Sequence, residues 1–246
     1  MRLDTYLFEK GIAGSRNKAK VLIDSGRVVI SGKTITKSSY DVKEDDILEI
    51  LPTEQTEYVG RGGLKLENAL DVFGVSPDSK ICVDIGASTG GFTDCLLKRG
   101  AKKVYAIDSG TNQLDPKIRD DERVVSLENT NARYITVDTI SGDKAELVVM
   151  DVSFISQKLL YPAIKNICQN YADIITLIKP QFEAGRENLS KNGIVTNEKV
   201  RRAVIEDLKK NAELFDFEFI SVIESPIKGG SGNTEYLIHF KFKPKI

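Results

Sequence analysis

Four charged residues in this 246-residue sequence stand where they are costly unless something uses them. Asp151 closes the apolar run "AELVVMD", and Lys179 closes "DIITLIK" immediately before Pro180. Glu235 opens "EYLIHF", and Lys65 follows two glycines in "GRGGLKLENAL". An ammonium at the end of a core strand needs a partner or a task. Any one of the four alone reads as an ordinary ion pair, which contributes little. Four converging on one sheet edge read as a set that can hold a hydroxyl and remove its proton. Lysine titrates near ~10.4 in water, too high for a base at neutral pH. Partial burial and a second cation lower that value, and general-base help is worth roughly 10²–10⁴-fold. Asp151 and Glu235 would orient the lysines, although their charge opposes the lowering. Lys179 therefore has two readings: it takes the proton, or it stays charged and aims the hydroxyl.

The segment "VDIGASTGGFTDCLL" (residues 83–97) carries a different chemistry. A strand ends in Asp84, Gly86 begins a turn, and Gly90 and Gly91 open a helix. Glycines there let a ligand approach the backbone, and the helix N-terminus offers amides. The spacing is G-x-x-x-G-G, neither the dinucleotide fingerprint nor a P-loop. It resembles motif I of S-adenosylmethionine-dependent methyltransferases. That resemblance implies cofactor contacts from Asp84, Gly86, Ala87, Ser88, Thr89, Gly90, Gly91 and Phe92. Asp108 closes "VYAID" about 20 residues on, where an acid suits the two hydroxyls of a ribose. A glycine turn serving tight packing alone does not predict an acid at both strand ends. Methyl transfer from a sulfonium is an in-line displacement, so alignment supplies much of the acceleration.

A sheet must position these residues. "KICVDIG", "KVYAID", "RVVSLE", "AELVVMD" and "DIITLIK" are apolar, β-branched runs separated by helical stretches, clearest at 91–99 and 156–170. Such alternation predicts a parallel sheet covered on both faces, with ligands at the carboxyl edge of its strands. "FEFISVIES" and "TEYLIHFKF" are joined by "PIKGGSGN", which has no helical pattern, so these two strands should pair antiparallel. The fold class is α/β: a Rossmann-like, mostly parallel seven-stranded sheet whose antiparallel last strand brings Glu235 to the same edge. Loops 226–233 and 182–195, the latter with Arg186, read equally as surface connectors and as substrate-side loops.

A smaller α+β unit precedes it over residues 1–53. Helices are predicted over "RLDTYLFEK" and, capped by Ser15, "RNKAKVLIDS", with Ala19, Leu22 and Ile23 facing inward. A hairpin in "RVVISGKTI" and a strand in "DILEIL" follow, and Pro52 ends the unit. Residues 54–59 read as a linker and 60–246 as the second domain. Residues 1–40 hold eight Lys/Arg and three acids, a local excess hidden by the whole-chain charge of −1. That surface is a candidate anion-binding face.

Taken in order, "RLDTYLFEKGIAGSRNKAKVLIDSGRVVISGK", "GRGGLKL", "DIGASTGGFT", "NTNAR", "DVSFIS", "LIKPQFE", "NGIV" and "SGNTEY" resemble the TlyA (haemolysin A) family over essentially the whole chain. The resemblance implies an S4-type RNA-binding domain followed by an FtsJ-like methyltransferase domain. It implies S-adenosylmethionine as cofactor, ribosomal RNA in a ribosomal subunit as partner, and methylation of a cytidine 2′-hydroxyl. Lys65, Asp151, Lys179 and Glu235 would form the catalytic set. Asn129 and Asn131 would border the adenine, though both also suit a turn. Arg2, Arg16, Lys18, Lys20 and Arg27 would meet RNA through phosphates and shape. The chain starts at "MRLD" and ends soon after its last strand, and this short form resembles members restricted to the large subunit.

Three scattered cysteines without a CxxC, and His239 as the sole histidine, disfavour structural zinc, His-ligated metals and triad hydrolases. No metal is expected, and His239 in its apolar strand reads as a core residue. With no signal-peptide pattern and no apolar stretch of roughly 18 residues, a cytoplasmic protein without membrane partners is expected. Two other classes compete. A non-catalytic RNA-binding or ribosome-assembly protein would keep the cofactor site, but the intact catalytic set opposes it. A membrane-damaging haemolysin lacks here an export signal and an amphipathic membrane helix. Base methylation often uses Asn/Asp-Pro-Pro-Tyr-like motifs, and "DVSF" is not one.

Overall fold

Leu3 and Leu7, and Ala19 and Ile23, recur at helical spacing, and all four are buried where α1 (Leu3–Glu9) packs on α2 (Arg16–Asp24). Val28 and Ile30 of β1 (Val28–Ile30) close this small core from the other side. Ser31 and Gly32 take φ of 48° and 78°, the backbone of a tight two-residue turn that leads into β2 (Lys33–Thr34). β3 (Leu48–Ile50) pairs antiparallel with the other edge of β1. The computed structural model describes residues 1–14, 16–24, 26–43, 45–51 and 58–244, without the side chains of 17, 18, 21 and 24. The Ser15 cap, the Lys18 side chain, Pro52 and positions 54–57 of the linker lie outside the described residues. The chain divides into two units, Met1–Gln55 and Thr56–Ile246.

The second unit opens with α3 (Gly62–Phe73), β4 (Ile81–Ile85), α4 (Gly91–Lys98), β5 (Lys103–Ile107), α5 (Pro116–Arg119) and β6 (Val124–Leu127). It continues with β7 (Ala145–Met150), α6 (Tyr161–Ile167), β8 (Cys168–Ile178), α7 (Glu198–Glu213), β9 (Phe217–Glu224) and β10 (Tyr236–Phe242). The strands form one seven-stranded sheet in the order β6-β5-β4-β7-β8-β10-β9. Neighbours from β6 to β8 run parallel, and β10 is antiparallel to both β8 and β9.

Strand residues alternate between two apolar layers, because successive side chains point to opposite faces. Cys82, Leu147, Ile175 and Leu237 face Leu66 and Leu70 of α3 and Leu96 of α4. Val83, Val148, Ile174 and Ile238 face Ile164 of α6 and Leu208 of α7. Both faces are covered, which is why the strands read as continuous apolar runs. From β4 the chain steps outward to β5 and β6, then returns to β7 on the other side of β4. The carboxyl ends of β4 and β7 thus flank the point where the strand order reverses, the usual crevice for a ligand.

The helix predicted over 156–170 is shorter. A 3₁₀ turn takes Gln157–Leu159, the α-helix covers only Tyr161–Ile167, and β8 already begins at Cys168. The pairing jumps from Ala145↔Cys168 to Leu147↔Asp173, and Tyr171 takes φ of 64° within the irregularity. A bulged strand start has no period of its own, so its apolar residues extend the apparent helical pattern.

Candidate active site

At the end of β4 the backbone turns at Gly86 with φ of 84°. A Cβ there would collide with the carbonyl oxygen of Asp151 on the neighbouring strand end, so the position requires glycine. The tight turn opens a cavity of about 300 Å³ between the ends of β4, β5 and β7. Ile85, Ile107, Ala132, Ile155 and Leu160 give it an apolar lining, and Asp108, Ser109, Thr130 and Asn131 supply polar groups. Asp108 accepts the backbone N–H of Ser88 (2.8 Å) and of Gly110 (2.7 Å), which fixes its carboxylate at the rim. A second cavity of about 210 Å³ lies between the glycine turn and residues 60–62. The two share Gly86, Ser88, Asp151 and Ser153.

The two lysines stand in two ion pairs. Lys179, just past β8, brings Nζ to 2.5 Å from Asp151 Oδ1, and both side chains are mostly buried. Its well-aligned hydrogen bond goes to Ser153 Oγ at 2.9 Å, so Asp151 acts mainly through charge. Lys65, on the first turns of α3, donates to Glu235 Oε2 at 2.6 Å. This second pair is more enclosed, with side chains 10% and 3% exposed. The register Tyr236↔Ile178 sets Glu235, one residue earlier, opposite Lys179 across the strand ends.

The predicted residues divide by position. Gly86, Ser88, Asp108, Asn131 and Asp151 line the first cavity. Ala87, Thr89, Gly91, Phe92 and Lys179 line the second. Asp84, Gly90, Asn129, Lys65 and Glu235 line neither. Asp84 is fully buried behind the glycine turn, accepting the Thr93 hydroxyl of α4 at 2.7 Å while its Oδ1 has no partner among the described residues. Gly90 turns away because its φ of 95° starts α4 over Leu114 and Ile118. Asn129 takes φ of 53° and is the turn residue of "NTNAR", whereas Asn131 caps the following 3₁₀ turn through Arg133 N–H. His239 is buried with Nε2 3.0 Å from Asp173, lining neither cavity.

Other residues carry no sequence signal or a weak one. Ser153 is one polar residue in "DVSF" until Lys179 is seen to reach it. Glu183 accepts Ser156 Oγ (2.6 Å) and Gln157 N–H (2.8 Å), holding the loop after β7. Glu128 accepts three successive N–H groups, from Asn112, Gln113 and Leu114, at 2.6, 2.6 and 3.0 Å. These bonds pull its carboxyl below the ordinary range and fix the loop after β5. An acid closing "RVVSLE" was a legible cue. Arg61 is exposed at the second cavity. Phe154, 90% exposed, takes φ of 65° at the first cavity and lies 5.0 Å from Phe182 between ring centres. Tyr58 and Val59, expected in the linker, pack onto this unit: Tyr58 is buried and Val59 N–H donates to Asp94 at 2.8 Å.

In the first unit Arg2 and Arg16 both bind the buried Asp4, at 3.0 and 2.9 Å, and stay half-exposed beyond it. Those two guanidiniums hold the Asp4 carboxyl well below the usual carboxylate range. Lys20 is exposed, and Arg27 donates Nε to the Leu51 carbonyl at 3.1 Å.

Burial pushes the Asp84 carboxyl up to about 7, with the Thr93 hydrogen bond opposing and the Asp151 charge adding. Unfolded, it titrates near ~3.9. Between those values the folded state holds a proton that the unfolded state has lost, so stability falls as pH rises through the window. Asp84→Asn has no proton to lose. In denaturant titrations its stability relative to wild type should therefore rise from about pH 4 to about pH 7, by on the order of 4 kcal/mol, then level off. A pH-independent difference would contradict the buried, proton-holding carboxyl.

Residues 58–242 match the model of the FtsJ-like methyltransferase family, and residues 1–48 match the S4 domain. The chain is 45% identical over 240 residues to hemolysin A of Brachyspira hyodysenteriae, covering 98% of this chain and 99% of that one. It is 39% identical over 237 residues to the 16S/23S rRNA (cytidine-2′-O)-methyltransferase TlyA of Mycobacterium tuberculosis, covering 96% and 88%. A solved Streptococcus thermophilus structure with a hemolysin name aligns at a TM-score of 0.79 and 40% identity, over all of this chain and 89% of that one. No helix among the described residues is long and apolar enough to cross a membrane. With an S4 domain before a sheet that carries this glycine turn and these two lysine–acid pairs, the chain belongs to the FtsJ-like methyltransferase family, among the relatives named hemolysin A and TlyA.

Proposed function

We propose that the protein methylates the ribose 2′-hydroxyl of a cytidine in ribosomal RNA, using S-adenosylmethionine, in the cytoplasm where ribosomes assemble. The observation that carries this reading is the Lys179–Asp151 pair on the wall beside a nucleoside-sized cavity. The cavity's residues suit the cofactor. An apolar slot accepts a base, Asp108 presents acceptors for two ribose hydroxyls, and Asp108 and Asp151 complement a positive charge. The orphaned Asp84 Oδ1 behind the turn is also left for a polar partner. Gly86, Ser88, Asp108 and Asn131 would hold the nucleoside, and Ala87, Thr89 and Gly91 the amino-acid end. When bound, the cofactor supplies an electrophilic methyl carbon on a sulfonium.

The chain's own residues then act on the substrate oxygen. Lys179, anchored by Asp151 and Ser153, donates a hydrogen bond that aims the 2′-oxygen along the line of displacement. The hydroxyl proton becomes acidic as the oxygen gains its new bond, and the Asp151 carboxylate takes it and passes it to solvent. The Lys65–Glu235 pair braces α3 and β10 behind that site. In the first unit, Asp4 sets Arg2 and Arg16 side by side as a forked phosphate contact, with Lys20 exposed nearby in sequence. The M. tuberculosis relative's name gives both 16S and 23S rRNA and a Campylobacter jejuni relative's name gives 23S rRNA alone, which makes the large subunit the first target to try. The test incubates the purified chain and methyl-labelled S-adenosylmethionine with each isolated subunit. Label should enter the RNA of the substrate subunit on ribose. Label entering neither subunit nor free ribosomal RNA would overturn the reading.

A further inference from the structure

Glu235 owes its place to the loop that precedes it. The loop leaves β9 and returns to β10 with Ser225 N–H donating to the Glu235 carbonyl (2.9 Å) and Gly229 N–H to the Asn233 carbonyl (2.9 Å). Gly229 lies so close to Glu235 Oε1 that a Cβ there would collide with it. Asn233 itself is 1% exposed and reaches out of the loop. Its Oδ1 accepts Val195 N–H at 3.0 Å, and its Nδ2 donates to the Gly193 carbonyl at 3.1 Å. Segment 193–196 is in turn tied to the other side of Glu235. Arg201 on α7 donates to the Val195 and Thr196 carbonyls (3.0 and 2.8 Å) and to the Tyr236 hydroxyl (3.1 Å). Glu235 therefore sits between two anchors that end on the same short segment. The motifs "NGIV" and "SGNTEY" are the two halves of that connection.

We infer that Asn233 is a positioning residue for Glu235: its side-chain clasp on Gly193 and Val195 holds the Glu235 carboxylate on Lys65. This inference rests on the methyl-transfer reading for its catalytic consequence, but its structural consequence can be read without any reaction. An amide with both ends used inside a buried site has one orientation, so it fixes the two loops rather than merely touching them. A displacement of about 1 Å in the bracing pair costs on the order of 10²-fold in rate when alignment supplies the acceleration.

The test compares wild type with Asn233→Ala by lysine-¹⁵N NMR and by methyl-transfer kinetics. In wild type the buried, hydrogen-bonded Lys65 ammonium should give a slowly exchanging signal, identified by its loss in Lys65→Met. In Asn233→Ala that signal should disappear, and kcat should fall about tenfold to a hundredfold with KM for the RNA within about twofold. In a Glu235→Gln background, Asn233→Ala should lower kcat no further. A retained Lys65 signal, a loss confined to KM, or a full additional loss in the Glu235→Gln background would overturn the inference. Should Asn233→Ala fail to fold, Arg201→Met on the outer helix loosens the same segment and should weaken the same signal, and an unchanged signal there counts against the clasp. If wild type transfers no methyl group, the proposed reaction falls while the NMR signal still decides the clasp.

Discussion

Lys179→Ala is expected to lose methyl transfer by roughly 10²–10⁴-fold in kcat while its affinity for S-adenosylmethionine stays within about threefold. Lys179 touches Asp151 and Ser153 and borders only the smaller cavity, where it is one cation on the wall of the amino-acid end, so the nucleoside slot keeps its walls. What is lost is the group that aims the 2′-oxygen, together with the charge that pairs Asp151. Calorimetric binding of the cofactor and single-turnover transfer separate the two effects. Lys179→Arg sharpens the chemistry. Arginine keeps the charge and the donors but cannot accept a proton, so a variant retaining a measurable share of the rate supports aiming over proton removal. Near-normal transfer by Lys179→Ala would remove Lys179 from the reaction.

Lys65→Met is expected to cost about 3–5 kcal/mol of stability, because it leaves the Glu235 carboxylate buried without its ammonium. Glu235 is 3% exposed in its side chain, and its Oε2 has that 2.6 Å partner. Breaking a buried pair from one side is far costlier than removing both charges. Lys65→Met with Glu235→Leu should therefore recover most of the melting temperature and none of the activity. For a unit of this size, the single variant should melt on the order of 10 °C lower. A single variant melting within about 2 °C of wild type would show that the pair is not buried as described.

The strand ends were legible in the sequence because each carries its own local contrast. Asp108, Asp151 and Lys179 are polar residues terminating apolar, β-branched runs, Asp84 stands one residue before the end of its run, and a parallel sheet brings such termini to one edge. Glu235 followed once the last two strands were seen to lack a helix between them. Two salt bridges at the sheet edge were one reading of the four residues, but which lysine meets which acid was not legible, because it depends on side-chain reach across α3, β8 and β10. Nor was the burial of Asp84: its strand position predicts a residue near the ligand, but Thr93 on α4 draws the carboxyl inward. Asn129 was ambiguous for a physical reason, since asparagine tolerates the positive φ of a turn as readily as it offers an amide. Loop partnerships left the least trace. Nothing in "NGIV" says that its backbone meets an asparagine 38 positions later. The charged N-terminal surface was visible as a count, but the role of Asp4 was not, because an acid among arginines subtracts from the count while it orders them.

Ribose methylation of ribosomal RNA, mapped at nucleotide resolution with and without this protein, tests the proposed activity most directly. Expression in a host that lacks the modification should add a 2′-O-methylcytidine to ribosomal RNA, and the Lys179→Ala variant should not add it. Ribosomal RNA with no new ribose methylation, or with a new methyl group on a base, would contradict the assignment.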